Sequence, residues 1–212
     1  MNLDSILFLF KGTLITIKLS ALSLVLALFL GFLFGIMRAS KYFPLRAIAY
    51  AYIEILRGTP LLIIMMFAFY CIPILLEKEI SPFIAATLSL SLYGGAYAAE
   101  IVRAGIESIA RGQWEAARST GLSALKVMRF VILPQAFRVM IPPGVGLFVA
   151  LVKDSSLASI IGYVELTRAS EIIRMNIYET WGPLSIVAAN YFVICYLLSK
   201  LGAYTERRFQ FD

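Results

Sequence analysis

Leu19-Ser20-Ala21-Leu22-Ser23-Leu24-Val25-Leu26-Ala27-Leu28-Phe29-Leu30-Gly31-Phe32-Leu33-Phe34-Gly35-Ile36-Met37 runs for 19 residues without a charge. A helix that crosses the hydrocarbon core of a bilayer needs about 20 mainly apolar residues. The run therefore reads as a membrane span, and four more segments resemble it. They cover residues 58–76, 80–99, 139–157 and 183–199. Strands of a membrane barrel would alternate over about 10 residues, and these continuous Leu, Ile, Val and Ala runs do not. The expectation is an all-α polytopic membrane protein of five spans in one domain covering residues 1–212.

Composition agrees. Of the 212 residues 60% are hydrophobic and 15% charged, and the mean hydropathy is +0.85. Soluble domains are nearer 45–50% apolar and roughly 25% charged, so a soluble globule and a disordered chain are both excluded. There is no histidine, which removes an imidazole base, a Ser-His-Asp triad and His-containing zinc sites. The two cysteines, Cys71 and Cys195, lie in apolar runs and read as small hydrophobes. The start, Met1-Asn2-Leu3-Asp4, has neither a basic region nor a cleavage signal, and is read as uncleaved.

The basic residues give an orientation. Arg38, Lys41, Arg46 and Arg57 fall between spans one and two. Arg103, Arg111, Arg118, Lys126, Arg129 and Arg138 fall between spans three and four, and Lys200, Arg207 and Arg208 follow span five. These are thirteen of the 19 Lys and Arg residues, all on one side of a five-span chain. Loops rich in Lys and Arg stay cytoplasmic, so the expected topology is N-terminus out, C-terminus in. The net charge of +6 is then a topology signal, with no nucleic acid implied.

The cytoplasmic segment between spans three and four is too long for a simple connector. It contains Gln113-Trp114-Glu115-Ala116-Ala117-Arg118-Ser119-Thr120-Gly121. Ala116 and Ala117 allow close approach of another surface, and Gly121 permits the left-handed turn that ends a short helix. A second helix carries Leu122, Leu125, Val127, Met128, Phe130 and Val131 toward Pro134. Such a hairpin can be a knob for a soluble partner or an ordinary amphipathic hairpin on the membrane surface.

At membrane depth, ionisable groups are functional candidates. Lys153 and Asp154 interrupt the fourth apolar stretch, and Pro142-Pro143-Gly144 is expected to break its helix earlier. Asp154 could hold an ammonium, and the hydroxyls of Ser155 and Ser156 could donate to a carboxylate. Alternatively Lys153 and Asp154 neutralise each other. Tyr93, before Gly94-Gly95 in span three, offers a hydroxyl and a face for a cation; the glycines themselves suit helix packing. Thr59-Pro60 reads as a kink with Thr59 bonded back to its helix, and Asn190 as a hydrogen bond between helices. Residues 165–179 read as an amphipathic surface helix with Glu165, Arg168, Glu171 and Arg174 alternating in sign.

The spacing Glu-Ala-Ala, Gly121 and Val131-x-Leu133-Pro134 resembles the EAA loop, here about residues 113–134, of binding-protein-dependent ABC importers. Three further segments resemble permeases of the polar amino acid uptake group. They are Glu54-Ile55-Leu56-Arg57-Gly58-Thr59-Pro60, Ala96-Tyr97-Ala98-Ala99-Glu100-Ile101-Val102-Arg103, and Lys153-Asp154-Ser155-Ser156-Leu157. The resemblance implies a type I importer permease fold in a bacterial inner membrane. It implies a permease dimer with a second permease subunit, a cytoplasmic ATPase dimer and an extracytoplasmic substrate-binding protein. Glu115, Ala116, Ala117 and Gly121 would form the coupling helix that docks on the ATPase. The chain lacks a G-x-x-x-x-G-K-[ST] phosphate loop, so ATP and Mg are expected on the ATPase, with no cofactor and no catalysis on this chain. The substrate pathway is expected to include Asp154, Ser155, Ser156, Tyr93 and Glu165. With carboxylates at Asp154 and Glu165, a basic L-amino acid is the favoured cargo. The alternative is a membrane channel without energy coupling, or a structural membrane protein; neither needs an ATPase-docking knob.

Overall fold

The computed structural model describes residues 3–209, with side chains as far as Tyr204. Arg207 and Arg208, which the charge asymmetry counts, lie beyond the described side chains. Every regular element among the described residues is helical. In chain order they are α1 (Leu3–Ala39), α2 (Phe43–Gly58), α3 (Leu61–Leu76), α4 (Pro82–Glu107), α5 (Arg111–Ser119), α6 (Ala124–Ser159), α7 (Leu166–Ile177) and α8 (Trp181–Phe209).

Three of these are long and apolar enough to cross a membrane: α1, α6 and α8 up to Tyr204. The α2–α3 pair passes the same test only as one unit, bent by 101°. The bend sits at Thr59-Pro60. Thr59 is extended at φ −105° and ψ 131°, the conformation proline imposes on its predecessor. Its hydroxyl donates to the Ile55 carbonyl at 2.8 Å, the expected back-bond. Residues 58–76 therefore begin at a break, and Arg57 belongs to the last turn of a packed helix rather than to a loop.

α4 does not reach the hydropathy of the other three, because it is the central helix. Ala85, Ala86, Ser89, Leu90, Gly94, Gly95, Ala96, Ala98 and Ala99 are all buried along it. A helix enclosed by protein gains more from small residues, which let neighbours approach, than from large apolar ones that face lipid. α1 runs beside it in the same direction: a Cβ at Gly31 would strike Ala98, and one at Gly35 would lie 2.6 Å from Val102 Cβ. The far side of α1 leaves Phe10, Val25 and Phe29 exposed, as a lipid-facing surface would.

α6 corrects two expectations. The helix expected after Gly121 does not stop at Pro134; it continues unbroken into the fourth apolar stretch. Nor does Pro142-Pro143-Gly144 break it, for Leu133–Asp154 is one regular helix with both prolines inside. Pro134, near the start of that helix, follows a π-turn at Met128–Ile132. A matching π-turn at Phe67–Cys71 precedes Pro73. Proline lacks an N–H and crowds the carbonyl four residues back; a widened turn relieves both problems. Only the last turn, Ser155–Ser159, tightens to 3-10 form.

Three apolar cores hold the bundle. Leu19, Met65, Leu90 and Leu151 join α1, α3, α4 and α6. Val102, Ile106, Ala117, Val127 and Met140 join the α4 end to the α5–α6 hairpin. Leu9, Leu166, Ile173 and Val187 join α1, α7 and α8. Asn190 departs from expectation: its amide donates to the Ile186 carbonyl at 2.8 Å, inside its own helix.

Candidate functional site

The four coupling residues come together on one short element. α5 is nine residues long and lies against the start of α6. Ala117 is its buried anchor, 7% exposed among Val127 and Ile132. Glu115 and Ala116 face outward, as do Arg118 and Thr120. Leu125, at the start of α6, is 78% exposed. Gly121 ends the helix at φ +81°, and a Cβ there would meet nothing within 4 Å. Glycine is needed for backbone conformation alone. The Gly121 amide donates to the Arg118 carbonyl at 3.0 Å, and the Thr120 hydroxyl to the Ala117 carbonyl at 2.8 Å. Across the hairpin Gln135 donates to the Gln113 side chain at 3.3 Å, and within its own helix to the Val131 carbonyl at 2.8 Å. The result is a braced helix whose outer face presents a carboxylate, a methyl group and a guanidinium.

The pathway candidates separate into three fates. Asp154 is half-buried at the end of the regular part of α6, while neighbouring Lys153 is exposed. No ion pair within 4.0 Å joins them among the described residues. The Tyr93 hydroxyl donates to the Tyr97 hydroxyl at 3.2 Å.

Ser155 and Ser156 do not offer free donors. Ser155 is fully buried and its hydroxyl donates to the Val152 carbonyl at 2.8 Å. The Ser156 hydroxyl donates to the Lys153 carbonyl at 2.7 Å. Both protons serve backbone carbonyls of the same helix end.

Glu165 is engaged as well. It is fully buried and caps α7, accepting from the Thr167 and Arg168 amides, each at 2.9 Å. The Tyr191 hydroxyl of α8 donates to it at 2.9 Å and the Thr16 hydroxyl of α1 at 3.4 Å. Thr16 in turn accepts from the Leu166 amide at 3.1 Å. Burial pushes the Glu165 carboxyl above its ordinary value, against the pull of these donors. A carboxylate so enclosed ties three helices together. Beyond it the expected sign alternation is realised in the Arg168–Glu171 ion pair at 2.8 Å.

Sequence reasoning missed a charged ladder below Tyr93. Arg103 grips Glu100 through Nε at 3.1 and 3.2 Å and through Nη2 at 2.8 Å, and also pairs with Glu107. Arg57 reaches the same place from α2, over the Tyr97 ring at 5.1 Å and 3.9 Å from Glu100 Oε2. Tyr97, Glu100 and Arg103 line a cleft of about 660 Å³ between α4 and α6, whose other wall includes Val139, Pro143 and Gly146. That volume is in the range of small-molecule sites, roughly 300–1,000 Å³. Pro143 withholds an amide from the Val139 carbonyl, and both residues line the cleft. The available signal was Glu100 and Arg103 at i,i+3 directly after an uncharged run.

Residues 8–211 match the family described as the inner membrane component of binding-protein-dependent transport systems. The chain belongs to that family. It is the multi-pass membrane permease of an ABC importer, and membership implies an ATPase and a binding protein as partners. The permease is 42% identical to the L-cystine transport system permease protein TcyB of Bacillus subtilis (strain 168), covering 93% of this chain and 84% of that one. It is 37% identical to the probable glutamine ABC transporter permease protein GlnP of the same organism, covering 97% and 95%. A crystal structure of an amino acid ABC transporter with histidines superposes at a TM-score of 0.90, with 35% identity and coverage of 98% and 99%. The type I importer permease fold is thereby established.

Proposed function

We propose that this permease is the pore-forming subunit of an ATP-driven importer of polar L-amino acids. It works as a dimer with a second permease subunit, over a cytoplasmic ATPase dimer that binds ATP and Mg. An extracytoplasmic binding protein delivers the cargo. Five spans are assigned, α1, the bent α2–α3 pair, α4, α6 and α8, with the N-terminus outside and the C-terminus inside. The charge asymmetry supports that orientation.

The observation that carries the reading is the α5 knob. A channel has no use for an exposed helix anchored in its last turn by buried Ala117 and closed by left-handed Gly121. Glu115, Ala116, Ala117 and Gly121 are assigned to ATPase coupling. Asp154 is assigned to the amino acid ammonium and Tyr93 to the path beside it. Relatives named for cystine and glutamine, and a structure with histidines, share no side-chain charge. Asp154 fits the feature that all amino acids share. A relative named for arginine transport, 35% identical, supports a basic side chain as cargo too, although Glu165, the second carboxylate counted for it, is engaged as a helix cap.

The test is co-purification. A detergent-solubilised permease should retain its ATPase stoichiometrically, and Ala116→Arg, which puts a long cation on the docking face, should release it while the permease still inserts. Undiminished ATPase retention by that variant would remove α5 from the interface. A steady amino acid leak through the permease in liposomes, with no ATPase present, would favour the channel reading.

A further inference from the structure

The 101° bend between α2 and α3 decides how α2 lies in the membrane. α3 packs along α4, with Leu61 and Met65 in the core that holds Leu90, and a short turn joins its end to the start of α4. α3 therefore follows the bundle axis, and α2, nearly at right angles to it, lies across the bundle. The contacts of α2 agree. Tyr52 stacks on Phe34 of α1, ring centroids 4.0 Å apart, and Arg57 lies over the Tyr97 ring of α4. Gly31 sits against Ala98, which puts Phe34 and Tyr97 within about one helical turn of each other in depth. That depth is the edge of the apolar layer, for the uncharged run of α1 ends at Met37 and Arg38 follows.

The outward side of α2 carries two chemistries. Phe43, Ile48 and Ile55 are each more than half exposed, while Ala49 and Ile53 are buried toward the bundle. Beside them stand Arg38, Lys41 and Arg46, and none of the three is in an ion pair within 4.0 Å among the described residues. The sequence holds no acidic residue between Asp4 and Glu54, and Glu54 lies two turns beyond Arg46. Arg38 rests over the Tyr50 ring at 4.9 Å and Arg46 over the Phe43 ring at 6.0 Å. Phe43, Arg46 and Tyr50 share one stripe of α2, so Tyr50 brings the α1 guanidinium alongside that of α2. Ring faces steady a guanidinium without using its N–H donors, and Arg38 Nε is shut from solvent with no hydrogen-bond partner.

We propose that the α1–α2 corner is a docking surface for anionic phospholipid. Arg38, Lys41 and Arg46 hold the headgroup phosphate through charge-assisted hydrogen bonds, and Phe43, Ile48 and Ile55 lie among the acyl chains. A helix in the plane of the interface binds in this way, through apolar area on one side and attraction to anionic lipid on the other. The ATPase is the less suitable occupant, because the cations stand at the end of an uncharged run and their exposed neighbours are isoleucines and aromatics. In the orientation proposed above, the surface faces the cytoplasmic leaflet, whose anionic lipids attract juxtamembrane cations.

The experiment titrates fluorescent phosphatidylglycerol, and fluorescent phosphatidylcholine as the neutral probe, onto the detergent-solubilised permease–ATPase complex. The unmodified complex should bind phosphatidylglycerol more tightly by about tenfold or more. Lys41→Gln with Arg46→Gln removes two exposed cations, so the helices should still form, and should abolish most of that preference while phosphatidylcholine binding stays unchanged. The matched control is Lys126→Gln with Arg129→Gln, which removes the same charge from exposed positions on α6 and should keep the preference. Raising the salt concentration should weaken phosphatidylglycerol binding to the unmodified complex, a readout that needs no variant. Equal affinity of the unmodified complex for the two lipids, or equal loss in the two double variants, overturns the proposal. Release of the ATPase by Lys41→Gln with Arg46→Gln, with lipid preference intact, gives the surface to the ATPase and overturns it too. Binding in detergent depends neither on orientation nor on coupling through α5, so either failure leaves the importer reading standing.

Discussion

A β-branched side chain at Gly121 meets open space but the wrong backbone. At φ +81° a valine carries a left-handed penalty of about 1–2 kcal/mol, enough to misplace α5 without unfolding α4 or α6. Gly121→Val is expected to insert normally and to hydrolyse ATP with its ATPase while uptake falls. Gly121→Asn, whose side chain tolerates this conformation, should keep most of the uptake. Comparing uptake per ATP for the two variants checks the point, and equal loss in both would mean that bulk, not φ, matters there. Glu165 sets the opposite expectation. Glu165→Ala strands two amides and the Thr16 and Tyr191 hydroxyls, costing roughly 2 kcal/mol or more. The thermal midpoint in detergent should drop while the KM for uptake stays put; a raised KM at unchanged stability would return Glu165 to the pathway. Both residues were visible in the sequence, but with unequal clarity. Gly121 was legible because a left-handed turn has one cheap residue. Glu165 was not, because a buried helix cap and a pathway carboxylate look alike until Thr16 and Tyr191, 149 and 26 residues away, are seen to converge on it.

Helix continuity is where one-dimensional reasoning met its limit. Thr59-Pro60 and Pro142-Pro143 carry similar breaking signals, yet the first bends the chain by 101° and the second leaves a continuous helix of 22 residues. The difference lies in the neighbours: Thr59 is already extended and bonded back, whereas α6 is held on both sides of its prolines by Met140 and Leu147, buried against other helices. The α2–α4 junction is the element-scale test. Tyr52→Phe removes the hydroxyl that bonds the Leu92 carbonyl and should cost about 1 kcal/mol. It should also loosen α2 on the central helix, so uptake should decline more than melting temperature. Unchanged uptake with a lowered melting temperature would confine Tyr52 to packing.

Across the whole molecule, the class, the apolar runs and the coupling knob were legible because each is written locally, as hydropathy or as a short spaced motif. The ladder Arg57–Glu100–Arg103 was not, since its members stand on two helices and look like ordinary flanking charges. The five-span orientation can be checked by labelling single cysteines from each side: positions near Arg118 should react only from the cytoplasm, and positions near Lys78 and Glu171 only from outside. External reaction near Arg118 would invert the architecture and take the ATPase-docking role of α5 with it. The central claim is that amino acid movement through this permease is driven by ATP through α5. It is tested most directly in proteoliposomes holding the permease, its ATPase and saturating binding protein, with ATP hydrolysis and uptake of labelled amino acid followed together. The account predicts uptake against a gradient that needs ATP and binding protein, and that collapses in Gly121→Val while hydrolysis continues. Uptake that proceeds without ATP, or that stays fully coupled in Gly121→Val, would contradict it.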